Sequence, residues 1–257
     1  MAGTLGRNKG FVTMTMALDL STYIEHVGAQ GERFALLAEN AMDRSIPGCP
    51  KWNGADLVFH LGMVHRMFDD VLIRSVTESS DLQRSERPDD STLLAWYREG
   101  LSQLVTTMDK TPRSRPAWSF LGPRTAEWVV RRMAHETAVH AADIAAATGG
   151  ASEIDLDLAS DGIDEFLSNF FVRAREDAPE LGGSVHLHCT DVDGEWMVTP
   201  LADGSMDIVW GHGKGDCALR GTANDVLMTL WRRRPLSSLE IFGDETLATR
   251  FIERAKL

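Results

Sequence analysis

Apolar residues recur every three or four positions through most of the first 170 residues, and every second position in much of the remaining chain. A period of 3.6 marks helices with one buried stripe; a period of 2 marks strands with one buried face. Asp19 or Ser21 is placed to cap a helix reaching about Met42, and Ser45 to Pro50 interrupts it. Leu57, His60, Val64, Met67, Phe68 and Val71 form the stripe of a second helix ending near Val76. A charged stretch from Glu78 to Asp90 leads to a third, near Ser91 to Met108, and Lys110 to Pro123, with three prolines, reads as a long crossover. The fourth helix carries Val129, Met133, Ile144 and Ala147 on its stripe and stops at Gly149-Gly150, since glycine enters the left-handed conformation that ends helices. Asp155 or Asp157 opens a fifth, through about Arg175, whose Ile163, Phe166, Leu167, Phe170 and Phe171 read as core.

After Pro179 and Gly182-Gly183 the period shortens. Val185 to Cys189, Glu195 to Val198 and Met206 to Trp210 alternate as antiparallel strands, with Asp193-Gly194 and Asp203-Gly204 as turns. Cys217 to Leu219 adds a strand, Thr222 caps a helix through about Trp231 with Asp225 three residues on, Leu239 to Phe242 is strand-like, and Asp244 starts a last helix. The predicted fold class is α+β: an N-terminal α-helical bundle over 18–178, followed by a small C-terminal α+β domain with an antiparallel sheet over 183–257. Residues 1–17 are expected to be a disordered extension.

Glu136 and His140 lie four apart on the fourth helix, about 40° around its axis from one another and in line with its apolar stripe. A carboxylate withdrawn from water costs several kcal/mol unless a cation or strong donor meets it, and a divalent metal would serve both side chains. His135 and His140 are five apart and point about 140° away from each other, so the familiar His-Glu-x-x-His zinc arrangement does not apply. Catalytic zinc usually keeps three protein ligands and an open position. His60, on the inner stripe of the second helix, is the best third ligand, with His65 nearer the stripe's edge.

Three blocks carry a resemblance: Cys49 to His60, Arg131 to Asp143, and Leu219 to Leu227. Together they look like the sequence blocks of the mycothiol-dependent maleylpyruvate isomerase family, from about Leu18 onward. The resemblance implies that the bundle is a DinB-like four-helix bundle and binds a divalent metal, most often Zn²⁺, through His60, Glu136 and His140. It also implies mycothiol as thiol cosubstrate, a small-molecule electrophile as substrate, and cis-trans isomerisation of a maleylpyruvate-like compound or S-transfer as the reaction. An arginine of the C-terminal domain is expected to reach the site; in Trp231 to Pro235 the choice is Arg233, with Arg232 and Arg234 as neighbours and a substrate carboxylate as its bidentate partner. Asp143 is either a hydrogen-bond acceptor orienting a ligand or an ordinary solvated residue.

A net charge of −12 argues against nucleic-acid and anionic-membrane partners, and no apolar run reaches the length of a membrane span, so a cytoplasmic enzyme is expected. Cys49, Cys189 and Cys217 are widely spaced and read as reduced thiols, with a redox or nucleophilic role of Cys49 as the alternative. Asp191 to Glu195 imitates a calcium loop but reads as a hairpin turn, and Gly211 to Gly215 lacks the Ser or Thr of a phosphate loop and reads as a connector. His186 and His188 share a strand face; they read as hydrogen-bonded or exposed, with a second metal site as the alternative. Two rival functions remain: a metal-dependent hydrolase using bound water, and a noncatalytic zinc module.

Overall fold

A computed structural model describes residues 18–173, 178 and 180–255. The expected disordered extension, 1–17, and the expected helix end at Arg175 lie outside the described residues.

The helical part begins with α1 (Leu20–Ala38), which stops short of Met42 because the chain turns into a small hairpin, β1 (Ser45–Ile46) with β2 (Cys49–Asn53). The hairpin delivers the chain into α2 (Gly54–Arg74) through a reciprocal cap. Asn53 accepts from the backbone N–H of Asp56 at 2.9 Å, and the Asp56 carboxylate accepts from the backbone N–H of Asn53 at 3.2 Å. This cap sets the phase of the helix that carries His60. Next come α3 (Asp90–Lys110), a second short hairpin of β3 (Pro116–Ala117) with β4 (Arg124–Thr125), and α4 (Ala126–Thr148), ended by Gly149 at φ 73°.

Helices α1 to α4 form a bundle in which α1 lies against α3 and α4, and α2 lies against the same two. Phe34, Leu61, Leu104 and Met133 are buried between them. Each such side chain contributes about 1.5–3 kcal/mol, so the α2 and α4 stripes are held face to face by the core beneath them.

α5 (Leu156–Phe166) continues as a π-helical turn, Leu167–Phe171, and packs against both α4 and the C-terminal part. That part contains β5 (Val185–Cys189), β6 (Glu195–Pro200), β7 (Met206–Trp210), β8 (Cys217–Gly221), α6 (Ala223–Leu230), β9 (Glu240–Gly243) and α7 (Glu245–Arg254). Thr222 and Asp244 cap α6 and α7 as their positions predict. The sheet order is β7-β6-β5-β8-β9. The expected antiparallel hairpins are present, but β5 and β8 pair in parallel, Val185 opposite Cys217. Turn dipeptides encode only pairing between sequence neighbours, whereas β8 returns beside β5 after two intervening strands. Seven α-helices and a five-stranded sheet thus make up an α+β fold, and no helix is long and apolar enough to cross a membrane among the described residues.

Candidate metal centre

His60 on α2 and Glu136 and His140 on α4 converge on one point. Both imidazole Nε2 atoms face the same carboxylate oxygen, Glu136 Oε1, at 3.2 Å from His60 and 3.3 Å from His140. The rings stand 5.0 Å apart, nearly perpendicular. Four spacings along α4 bring Glu136 and His140 to one side of the helix, and packing of α2 onto α4 brings His60 opposite them.

The other atoms of these side chains are engaged in ways that determine what the converging atoms present. His140 donates from Nδ1 to Asp143 Oδ2 at 2.9 Å, so neutral His140 turns a lone pair on Nε2 toward the Glu136 oxygen. Two acceptors facing each other repel unless a proton or a cation lies between them. Separations of 3.2 and 3.3 Å also match the ligand-to-ligand edge of about 3.3 Å in a tetrahedron with zinc-ligand bonds of about 2.0–2.1 Å. The two imidazoles and the carboxylate therefore fit a divalent transition metal with at least one position left for another ligand.

The surroundings favour positive charge at this point. Burial opposes ionisation of Glu136, yet hydrogen bonds with His140 and His60 and the charge of Arg132 hold its carboxyl well below the usual range. Burial would also depress His140, but hydrogen bonds to Asp143 and Glu136 carry it up to about 9.

A buried frame surrounds the three. Arg132 donates from Nη2 to Glu136 Oε2 at 2.6 Å and from Nη1 to Glu165 of α5, with its guanidinium over the rings of Phe170 and Trp231. Asp143 is buried, and Arg233 grips it with a fork: Nε to Oδ1 and Nη2 to Oδ2, both 3.1 Å. Gly48, in the turn between β1 and β2, leaves room for this pair; a Cβ there would lie 2.4 Å from Asp143 Oδ1 and 3.0 Å from Arg233 Nε. Trp52 packs against the His60 ring at 4.7 Å.

The arginine run resolves into three different roles. Arg232, in the left-handed region at φ 60°, donates to the carbonyls of Ile252, Glu253 and Ala255 and ties down the end of α7. Arg234 pairs with Asp225 of α6. Arg233 reaches the bundle at Asp143 of α4. Its Nε–Nη2 edge is occupied by Asp143, so the bidentate grip expected on a substrate carboxylate is made on the protein itself.

Two histidines fall elsewhere than their stripe positions suggest. His65 is fully buried and bonds Thr137 Oγ1 at 2.9 Å, and burial drives its pKa down to about 3. The His60 side chain is 27% exposed, whereas His140 opposite it is buried. His135 points away from His140, as its spacing requires, and bonds Asp161 at 2.7 Å. Arg132 and Glu165 escaped the sequence reading, although an arginine four residues before Glu136 is a legible i, i+4 partner. Cys49 also lies here, with Arg233 Nη2 3.5 Å from its Sγ. Burial and the charge of Asp143 push the thiol up despite that guanidinium.

No curated protein matches the chain by sequence. The mycothiol maleylpyruvate isomerase N-terminal domain pattern matches residues 27–145, and the corresponding C-terminal domain pattern matches 157–250. Two crystal structures share the fold: one of the mycothiol-dependent maleylpyruvate isomerase (TM-score 0.59, 10% identity) and one of a histidine-to-alanine mutant of it (TM-score 0.57, 9% identity). Each comparison covers 87% of this chain and 93% of the other. With both domain patterns present in order, and the fold shared along most of its length, the chain belongs to the mycothiol-dependent maleylpyruvate isomerase family.

Proposed function

We propose that the chain is a mycothiol-dependent enzyme in which His60, Glu136 and His140 hold a divalent metal, zinc foremost, and that it isomerises a cis-unsaturated dicarboxylate of the maleylpyruvate type. The observation that carries this reading is the convergence of two imidazole nitrogens on one Glu136 oxygen, with the far nitrogen of His140 committed to Asp143. A metal bound there supplies a Lewis acid that lowers the pKa of a thiol and presents it as thiolate. Addition of the thiolate to the activated cis double bond pushes an electron pair onto the conjugated carbonyl oxygen. Rotation about the new single bond and expulsion of the thiolate then restore the double bond as trans.

The residues of the chain orient this chemistry. Arg132 fixes the second oxygen of Glu136 and Asp143 fixes the ring of His140, so both side chains are held in place before any ligand arrives. Arg233 acts as a positioning residue through Asp143. With the fork engaged, it meets a substrate carboxylate by charge and a single N–H rather than bidentately. The proposal divides the chain into a helical portion, 18–178, and a C-terminal portion, 183–257, with α5 where they meet and Arg233 crossing between them.

The test is incubation of zinc-loaded protein with mycothiol and maleylpyruvate, with product analysis by mass spectrometry and NMR. Catalytic appearance of the trans isomer, dependent on mycothiol, is expected. A stable S-conjugate would make the enzyme a transferase instead, and turnover without added thiol would point to a hydrolase. Arg233→Ala is expected to lower turnover about 10²-fold, with Arg233→Lys restoring part of it. A change of less than about twofold for Arg233→Ala would remove this arginine from the account.

A further inference from the structure

The C-terminal sheet carries a second convergence of metal-ligating side chains that shares no residue with the first. His188 on β5 and Glu195 on β6 are cross-strand partners, and His186 lies two residues before His188 on the same strand face. Beyond β7 the chain turns at Gly211, at φ 130°, with its N–H bonded to the Glu195 carbonyl at 2.8 Å, and folds His212 back over the same carboxylate. Glu195 Oε2 then receives His186 Nε2 at 2.9 Å and His212 Nδ1 at 2.7 Å, while Oε1 lies 3.2 Å from His188 Nδ1. The His186 ring stands 5.2 Å from that of His212 and 5.9 Å from that of His188, both pairs steeply inclined. The glycine-rich run Gly211 to Gly215 is thus the segment that brings a distant histidine to the sheet.

We propose that His186, Glu195 and His212, with His188 beside them, form a second site for a divalent transition metal, with zinc as its reference cation. Imidazoles and one carboxylate are the donor set that zinc, nickel and copper share, and hard cations such as magnesium and calcium prefer oxygen alone. Glu195 Oε2 lies about 0.4 Å closer to His186 and about 0.6 Å closer to His212 than a tetrahedral edge of about 3.3 Å, a difference that small rotations of the partly exposed Glu195 carboxylate and of His212, 80% exposed, can take up while buried His186 stays fixed. A surface groove of about 590 Å³, lined by His188, Asp191, Glu195, Trp210 and His212 among others, lies directly against the cluster. It leaves the outward coordination positions open to water or a small ligand. The site requires nothing of the bundle and stands independently of the function proposed above.

The experiment counts and ranks zinc in the full chain. Metal-free protein is titrated with Zn²⁺ against a chromophoric chelator, and bound metal is quantified after dialysis, for the parent chain, His140→Ala, His212→Ala and Glu195→Gln. Two zinc ions per chain are expected in the parent and one in each variant, with at least a tenfold weakening of the sheet site in His212→Ala. His212 is exposed, so its replacement leaves the core intact, and circular dichroism melting of the metal-free variants verifies this. If one ion binds the parent and is lost only in His140→Ala, the sheet proposal is overturned and the bundle site stands. If the one ion is lost in His212→Ala and Glu195→Gln but kept in His140→Ala, the sheet proposal stands and the bundle site fails. Identical stoichiometry, with affinities within twofold, in the parent, His212→Ala and Glu195→Gln overturns the sheet site outright.

Discussion

Replacing Asp143 with Asn keeps the shape of the side chain while removing its charge, and it separates two functions that this residue combines. The carboxylate is 1% exposed and accepts four hydrogen bonds, one from His140 Nδ1 at 2.9 Å, two from Arg233 at 3.1 Å and a long one from Cys49 Sγ at 3.9 Å. An amide can keep the bond from His140 through its oxygen, but its NH₂ then faces a guanidinium N–H, donor against donor. Losing the partner of a buried guanidinium is expected to cost about 3–5 kcal/mol of folding stability. Loosening the acceptor that orients a ligating histidine is expected to weaken metal binding by about 10–100-fold. Chelator competition gives the affinity, and urea unfolding of metal-free protein gives the stability. The double variant Asp143→Asn with Arg233→Met is expected to recover part of the stability, because no unpaired charge remains, without recovering the affinity. Zinc affinity within twofold of the parent in Asp143→Asn would refute the view that Asp143 positions His140.

Three further outcomes are expected from the buried frame. Arg132→Met leaves Glu165, itself buried, without its cation, so a loss of about 3–5 kcal/mol is expected in chemical denaturation, and a loss below about 1 kcal/mol would show that the pair is dispensable. Gly48→Ala puts a methyl group 2.4 Å from Asp143 Oδ1, so weaker zinc binding with nearly unchanged helix content is expected; unaltered affinity would show that the turn yields without disturbing the Asp143–Arg233 pair. Asp161 is buried, which opposes its ionisation, but hydrogen bonds with His135 and Arg131 pull its pKa from 3.8 to about 2. A folded-state pKa below the unfolded one stabilises fully above the unfolded value and is lost as pH falls through the folded one. Asp161 therefore adds about 2 kcal/mol above pH 4 that disappears toward pH 2, and Asp161→Asn is expected to flatten the stability profile across that window.

The alternation of periods is enough to place the helices and most strands, because amphipathic stripes and turn dipeptides are local signals. The proposed metal ligands are legible for the same reason: Glu136 and His140 are ionisable interruptions of an apolar stripe, four residues apart on one helix. Whatever packing between distant segments sets is not legible in this way. The parallel pairing of β5 with β8 joins strands separated by two others. Arg233 can be picked from its run, but that its fork closes on Asp143, 90 residues away, depends on how the C-terminal part docks onto α4. The depth of His65 and the exposure of His60 reverse their stripe positions, because which side of a stripe is covered depends on the neighbouring helices rather than on the stripe alone. His212 reads by sequence as part of a connector, and only the turn at Gly211 brings it to Glu195.

The most direct test of a thiol-accepting metal in the bundle is the absorption spectrum of cobalt-substituted protein titrated with mycothiol, carried out in a His212→Ala background so that only the bundle site reports. A sulfur-to-cobalt charge-transfer band that grows with mycothiol and saturates at one thiol per chain is expected. The band should vanish when His140→Ala is added. Cobalt that binds at the bundle but shows no such band at saturating mycothiol would contradict the account.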